Sequence, residues 1–169
     1  MLTEAAFARR LRLDECWEVL AAEYATEPLP GRFTILVREP AALWPKQRCV
    51  VLTCGGAKVV CHDHVEPRSW RHLDAFGKAT QVVCAPPRGR CIDCGKVWRI
   101  PGPWAGEGKH FTKDFEAFAR ALIRAMPMQR AGEIRSAHDT RLWRMLFAHL
   151  ARARRRLELS AMVSLGWPR

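Results

Sequence analysis

The residues in this chain best suited to chemistry are its cysteines. Cys91-Ile92-Asp93-Cys94-Gly95 is a thiolate knuckle: two sulfurs three positions apart, followed by a glycine that lets the backbone amides turn toward them. Cys49 and Cys54-Gly55 form a looser partner with four residues between the sulfurs, and 36 residues separate Cys54 from Cys91. That gap accommodates a hairpin and a return strand, so a small sheet can bring the two pairs together. Four thiolates on one ion make a closed tetrahedral site, the arrangement of structural zinc. The expectation is one structural Zn2+ held by Cys49, Cys54, Cys91 and Cys94, with Cys61, His62, His64 and Cys84 as alternates for one member. His62-Asp63-His64 has the composition of a catalytic metal site, but no cluster of Asp or Glu lies nearby to build a two-metal centre, and such triplets are common in ordinary hydrogen-bond networks. The sequence holds no Gly-x-Ser-x-Gly elbow and no glycine-rich phosphate loop, so catalysis is not expected.

Charge supplies the second signal. The net charge of +11 is unevenly spread: residues 1–48 carry 7 Lys/Arg against 7 Asp/Glu, residues 49–108 carry 8 against 5, and residues 109–157 carry 12 against 4. Of the 28 basic residues only six are lysine, and arginine is the side chain suited to bidentate contact with phosphate and guanine. Arg141 and Arg144 lie three apart near the start of the last helical segment, on one face, while Arg152, Arg154, Arg155 and Arg156 follow along it. The expected DNA contacts are Arg141, Arg144, Arg152 and Arg155, with Arg130 and Arg135 from the preceding segment and Arg71 from the middle of the chain. For Arg71 a structural role is favoured, as a partner of Asp74 in a strand whose Trp70 and Leu73 face a core. Trp143 and Phe147 are expected in a core or an interface.

These residues need elements to hold them. Residues 3–12 have the pattern of a short helix, and 17–24 with 33–38 read as a hairpin across Pro28-Leu29-Pro30-Gly31, because Phe33, Ile35 and Val37 alternate. Pro40 to Pro45 reads as a loop. Strands are expected at 57–61, 68–74, 79–84 and from Val97 to Ile100, with Pro86-Pro87 and Gly89 as a break between them. So small a sheet buries little apolar area, and metal binding would supply the missing stability. After the linker Gly102–Gly108, Phe111, Phe115, Phe118, Ala119, Leu122 and Ile123 recur at helical spacing with Thr112 as N-cap, and Pro127 ends that helix. Met128 to Arg135 is a second helix and Ser136-Ala137-His138 a turn. A long third helix, capped by Asp139 or Thr140, is expected to turn Leu142, Leu146, Leu150, Ala153 and Leu157 inward. Three helices with a short turn before the last match a helix-turn-helix unit.

The resulting organisation is α+β: an N-terminal helix and hairpin over 1–48 that packs on a zinc-bound antiparallel β module over 49–101, a helix-turn-helix domain over 109–157, and a tail over 158–169. Charges interrupt every apolar stretch, so no membrane span is expected, and Glu4, Arg9, Arg10 and Arg12 break up any signal-peptide core. The expected location is the cytoplasm, where seven cysteines serve as ligands and buried thiols rather than disulfides.

Several runs together resemble the zinc-binding N-terminal segment of the ISL-three family of bacterial insertion-sequence transposases. They are Cys54-Gly55-Gly56, His62-Asp63, Trp70-Arg71-His72-Leu73-Asp74, Pro87-Arg88, Cys91 through Gly95 and Pro103-Trp104-Ala105. Phe111-Thr112, Phe115-Glu116 and Asp139-Thr140-Arg141-Leu142-Trp143-Arg144 are similar to the helix-turn-helix segment that follows in that family, so the likeness covers about residues 11–165. It implies zinc-assisted recognition of transposon terminal inverted repeats. The sequence departs from the family pattern in its first cysteine pair, usually C-x2-C. It departs again after Leu159–Gly166, where the family runs into a Gly-x-Asp-Glu strand with the first catalytic carboxylate and this sequence reads Trp167-Pro168-Arg169. The resemblance therefore implies the end-recognising half of a transposase without the RNase-H-like half that cuts, acting as a repressor or competitor of transposition. Double-stranded DNA is the expected partner, with a possible homodimer, no membrane and no small-molecule substrate. Two other readings compete. One is a zinc-stabilised protein-interaction adaptor, which an exposed patch around Trp17, Trp44 or Trp167 would favour. The other is a metal-dependent enzyme centred on His62, Asp63 and His64.

Overall fold

Alternating apolar residues build the first hairpin. Ile35 and Val37 point into a core and Arg32 and Arg38 out of it, giving β2 (Arg32–Arg38) antiparallel to β1 (Glu18–Ala25). The structure is a computed structural model that describes residues 17–27, 31–106, 110–135 and 139–164, and it divides between Ala105 and Gly106 into a β unit and a helical unit. The helix expected at 3–12 and the turn expected at 136–138 lie outside the described residues.

In the β unit a short 3-10 helix, Ala41–Lys46, occupies the stretch expected to be a loop, and it buries Leu43. Next come β3 (Val59–His64), β4 (Arg68–Ala75), β5 (Lys78–Cys84), β6 (Pro87–Cys91) and β7 (Val97–Arg99). Between β4 and β5, Phe76 at φ 53° and Gly77 at φ 70° make a two-residue turn with both central residues left-handed, the geometry that matches strand twist. The single antiparallel sheet expected for the middle of the chain is instead two sheets. One has the order β1-β2-β5-β4 and joins β2 to β5 in parallel, Arg32 opposite Ala79 through Leu36 opposite Val83. The N-terminal hairpin is thus part of the same sheet as residues 68–84. The other has the order β3-β6-β7 and is wholly antiparallel.

β6 runs through the Pro-Gly stretch expected to be a break. Pro87 stands at its first position, where no ladder donor is lost from the strand interior, and Gly89 sits at its middle. A Cβ on Gly89 would lie 3.0 Å from Val59 Cγ1 and 3.3 Å from Ile100 Cδ1, so glycine is what lets flanking side chains close over the strand. The core joins Trp17, Val19, Ile35, Val37, Leu43, Trp70, Val82, Cys84, Ile100 and Trp104. Trp104 takes Trp17 and Trp70 edge-on, with ring centroids 4.8 Å and 5.9 Å apart.

The helical unit has α1 (Lys113–Ala125), α2 (Met128–Arg135) and α3 (Asp139–Ser164). Thr112 caps α1 through its side-chain oxygen, which accepts from the Phe115 amide at 3.3 Å, and the helix stops at Met126 ahead of Pro127. Phe111, Phe115, Ala119, Leu142 and Met145 form the core, with Ile123 and Met128 against it and the Phe111 and Phe115 rings stacked at 4.8 Å. Of the inward face expected along α3, Leu142 is buried and Leu146 and Ala153 are half-buried, whereas Leu150 and Leu157 are 52% and 71% exposed; Met145, outside that expected face, is the other buried residue near the start. Length explains this. At 26 residues α3 is twice as long as the 13-residue α1, so its later turns outrun the helices beside it. It also continues past 157, through residues expected to be tail. Among the described residues no helix is long and apolar enough to cross a membrane.

Candidate metal centre

The four sulfurs expected to hold zinc do converge. The Sγ atoms of Cys49, Cys54, Cys91 and Cys94 all lie within 4.8 Å of one another. Cys49 Sγ is 3.6 Å from Cys94 Sγ, and Cys54 Sγ is 3.8 Å from Cys91 Sγ. A tetrahedron with metal–sulfur bonds of about 2.3 Å has sulfur–sulfur edges of about 3.8 Å, so the cage already has the dimensions of a four-thiolate ion site. The chemistry of the donor set fits as well: four sulfurs fill the coordination shell of a tetrahedral metal and leave no position for substrate, which makes the role structural.

The sheet β3-β6-β7 places these groups. Cys91 ends β6, and the turn to β7 is closed by the Gly95 amide donating to the Cys91 carbonyl at 3.0 Å, with Gly95 at φ 70°. The Cys91 amide donates to the Lys96 carbonyl, and the Ile92 amide donates to Lys58 just ahead of β3, which ties the second knuckle to the strand after the first. In the first knuckle the Cys54 amide donates to the Val51 carbonyl at 3.0 Å, so the longer spacing folds as a turn that still aims both sulfurs inward, and the Val51 amide reaches Cys49 Sγ at 3.4 Å. Gly56 is required by crowding: a Cβ there would lie 2.8 Å from Cys91 Sγ and 2.6 Å from Asp93 Oδ2.

The sulfurs compete for protons. The Lys96 amide, against the opposing effect of burial, draws the Cys94 thiol down to about 7 with help from the three neighbouring sulfurs. Cys54 goes the other way, to about 12: the Gly56 amide favours its thiolate, but hydrogen bonding with Cys94, burial and the remaining sulfurs outweigh it. Cys49 is raised too, its favourable contact with the Val51 amide offset by burial and the sulfurs of Cys94 and Cys91. Charge is therefore favoured on Cys94 and disfavoured on Cys49 and Cys54, and a divalent cation would resolve that competition by displacing their protons.

The alternates take other places. Cys84 is buried in the tryptophan core, where burial pushes its thiol up to about 12. His62 is exposed, with Nε2 4.0 Å from Asp63 Oδ2, and Asp63 is engaged by both nitrogens of the Arg88 fork. His64 Nε2 lies 2.6 Å from Glu39 Oε1, and Cys61 belongs with these two rather than with the four sulfurs. The histidine-aspartate-histidine triplet is therefore divided between two partners. Sequence reasoning missed Glu39, which stands 22 positions before Cys61 with no motif to connect them.

The arginines fall into two groups. Arg71 lies within the β unit, donating to the carbonyls of His72 and Thr80 and pairing with Asp74. Arg130 pairs with Glu133 at 3.0 Å one turn along α2. Arg141, Arg144, Arg152, Arg154, Arg155 and Arg156 are exposed on α3, and Arg155 Nε reaches the Ala151 carbonyl at 3.4 Å. Arg135 ends α2, and its side chain lies outside the described set. Trp17 and Trp44 belong to the β core and form no exposed patch, and Trp167 lies outside the described residues. No known family profile, curated protein or solved structure matches the chain.

Proposed function

We propose that the protein is a sequence-specific DNA-binding protein in which a zinc-stapled β unit accompanies a helix-turn-helix unit, and that its target resembles the terminal inverted repeats read by ISL-three transposases. The carrying observation is the run of exposed arginines along α3, five of which, Arg141, Arg144, Arg152, Arg155 and Arg156, share one side of the helix. Arg141 and Arg144 sit in its first turns and Arg152, Arg154, Arg155 and Arg156 further on, in a segment, 109–157, with only four acidic residues against twelve basic ones. In a helix-turn-helix the first residues of the last helix reach base edges while later basic residues hold phosphates, so the order of these arginines suits the division of labour. The core of Phe115, Leu142 and Met145 supports the reading by fixing the start of α3 and leaving its arginines outward. The metal bound by the four sulfurs is zinc in this proposal, with a structural role. Binding, not cutting, is the activity assigned.

Selection from a pool of random-sequence duplexes, followed by mobility shift in moderate salt, tests this. One enriched sequence should be retained far better than its scrambled counterpart, with affinity falling as salt rises by a slope of about −0.9 for each phosphate contacted. Equal retention of both would overturn it.

A second reading, the protein-interaction adaptor, is favoured by one observation. Trp143 and Phe147 stack at 5.6 Å on the surface of α3, and with Leu150 and Leu157 they leave a stripe of exposed apolar residues at spacings of three, four and seven. Such a stripe suits a protein partner or a second copy of the chain. A partner that co-purifies after nuclease treatment, and is lost on Phe147→Asp, would favour this reading.

A further inference from the structure

The geometry points to a second metal site, separate from the four sulfurs and different in kind: Glu39, Cys61 and His64 form a three-donor site for a divalent zinc-class ion with an open coordination position. One nitrogen of His64, Sγ of Cys61 and one carboxylate oxygen of Glu39 all lie within 4.8 Å of one another. The site is independent of whether α3 binds DNA.

A β-bulge makes the convergence possible. In a regular strand Cys61 and His64, three positions apart, would face opposite sides of the sheet. In β3, however, Cys61 stands opposite Gly89 while Asp63 stands opposite Arg88, so His62 is an extra residue in the ladder. The extra residue shifts the alternation by one, turning His64 to the side of Cys61 and leaving Asp63 on the other, where Arg88 holds it. Bulges of this kind re-aim side chains at functional sites. Glu39 arrives from the end of β2 with a side chain only 8% exposed, whereas that of His64 is 44% exposed and Cys61 is also exposed. The group thus has a buried anchor and two donors open to solvent.

The donors suit a metal better than they suit a nucleophilic triad. In a triad the thiol and the carboxylate engage opposite nitrogens of the imidazole. Here a single nitrogen faces both, the convergence that coordination requires. One thiolate, one imidazole and one carboxylate carry two negative charges and neutralise a divalent ion, and the mixture of sulfur and nitrogen selects zinc over magnesium or calcium. Metal–nitrogen and metal–oxygen bonds of about 2.0–2.1 Å imply a nitrogen–oxygen edge of about 3.3 Å in a tetrahedral site. The His64–Glu39 contact of 2.6 Å is the hydrogen-bonded form, and the ion takes the place of the shared proton once the exposed imidazole swings out by less than an ångström. Three protein ligands leave a fourth position for water or an exchanging ligand, unlike the closed cage of cysteines.

Back-titration of the metal-stripped full chain with Zn2+, read by native mass spectrometry, tests the inference. Two ions per chain are expected, the second leaving first when a mild chelator competes. Cys61→Ser and His64→Ala should each weaken the second ion at least about 100-fold, the upper end of what losing a mere supporting partner costs, while keeping the four-sulfur ion as proof of folding. His62→Ala, which changes the neighbouring histidine, should keep both. With Co2+ the sulfur-to-metal absorption band should grow in two phases in the wild-type chain and in one phase in Cys61→Ser. A wild-type chain that stops at one ion, or a second ion that survives His64→Ala or is lost with His62→Ala, overturns the inference.

Discussion

The β unit and the helical unit both hold many charged residues but use them in opposite ways. In the β unit eight charged or titratable residues meet in four pairs: Arg38 with Glu18, Arg88 with Asp63, His64 with Glu39, and Arg71 with Asp74 within β4. Glu18 with Arg38 and Asp63 with Arg88 are partners across neighbouring strands, so these charges help fix register. In the helical unit Arg130 has Glu133 on its own helix, but α3 sends Arg141, Arg144, Arg155 and Arg156 outward along a segment with few acids to meet them. The cores differ in the same sense. Three tryptophans fix the β unit from within, whereas the helical core spans only the first turns of α3 and leaves its later turns exposed. A surplus of arginine therefore says little about function until the fold shows which arginines are already occupied.

Removing metal from the four-sulfur cage should break this contrast most severely. The apparent binding energy of structural zinc is about 10–16 kcal/mol at neutral pH, so a strong chelator or Cys91→Ser should abolish the near-UV signal of the packed tryptophans while the far-UV helix signal persists. Loss of both signals together would show that the two units do not differ in what stabilises them. The same cage should lose affinity as pH falls, because the thiols must release protons to bind the ion.

Phe115→Ala tests the other core. Phe115 is fully buried, and deleting its ring should cost about 3–5 kcal/mol, seen as loss of helix signal in denaturant with the tryptophan signal intact. Arg141→Ala and Arg144→Ala should leave stability unchanged and cost about 1–3 kcal/mol of binding to the preferred duplex, with discrimination relaxed at one base each, whereas Arg155→Ala should weaken all duplexes alike and reduce the salt slope by about one unit. Equal behaviour of the three would remove the distinction between reading and holding. Thr112→Ala removes the α1 cap and should cost about 0.5–2 kcal/mol, measured by denaturation of the helical unit.

The smallest effect belongs to Asp63. Its carboxyl is held below the usual range chiefly by the Arg88 hydrogen bonds, with the Arg88 charge adding to them. A carboxyl lowered by folding stabilises the protein above its unfolded value of about 3.9 and loses that contribution as pH falls through the folded value. Acid unfolding curves of wild type and Asp63→Asn should therefore differ above that range and converge below it.

Much of the four-sulfur site was legible because its information is local. Each knuckle carries its own spacing and glycine, and the gap between the knuckles only has to be long enough. The β1–β2 hairpin was legible for the same reason: Phe33, Ile35 and Val37 state their alternation within five residues. The helices announced themselves through Thr112, Pro127 and the repeat of phenylalanines. What escaped depended on residues far apart. The parallel pairing of β2 with β5 leaves no local mark, because its partners are 47 positions apart. β6 was hidden by Pro87 and Gly89, which end strands by propensity and are accepted here because one starts the strand and the other makes room for Val59 and Ile100. The inward face assigned to late α3 assumed a partner that α1 and α2 are too short to provide.

The single supernumerary residue in β3 makes the strand's register, rather than its chemistry, the variable to watch. Deleting His62 would discard no donor from the trio of Glu39, Cys61 and His64, and the thiol and the imidazole, then two positions apart in a plain pleat, would still share a side. Straightening the strand at its present length would instead turn them back to back, so in chains of this kind the spacing of that cysteine and that histidine has to be read together with the bulge between them.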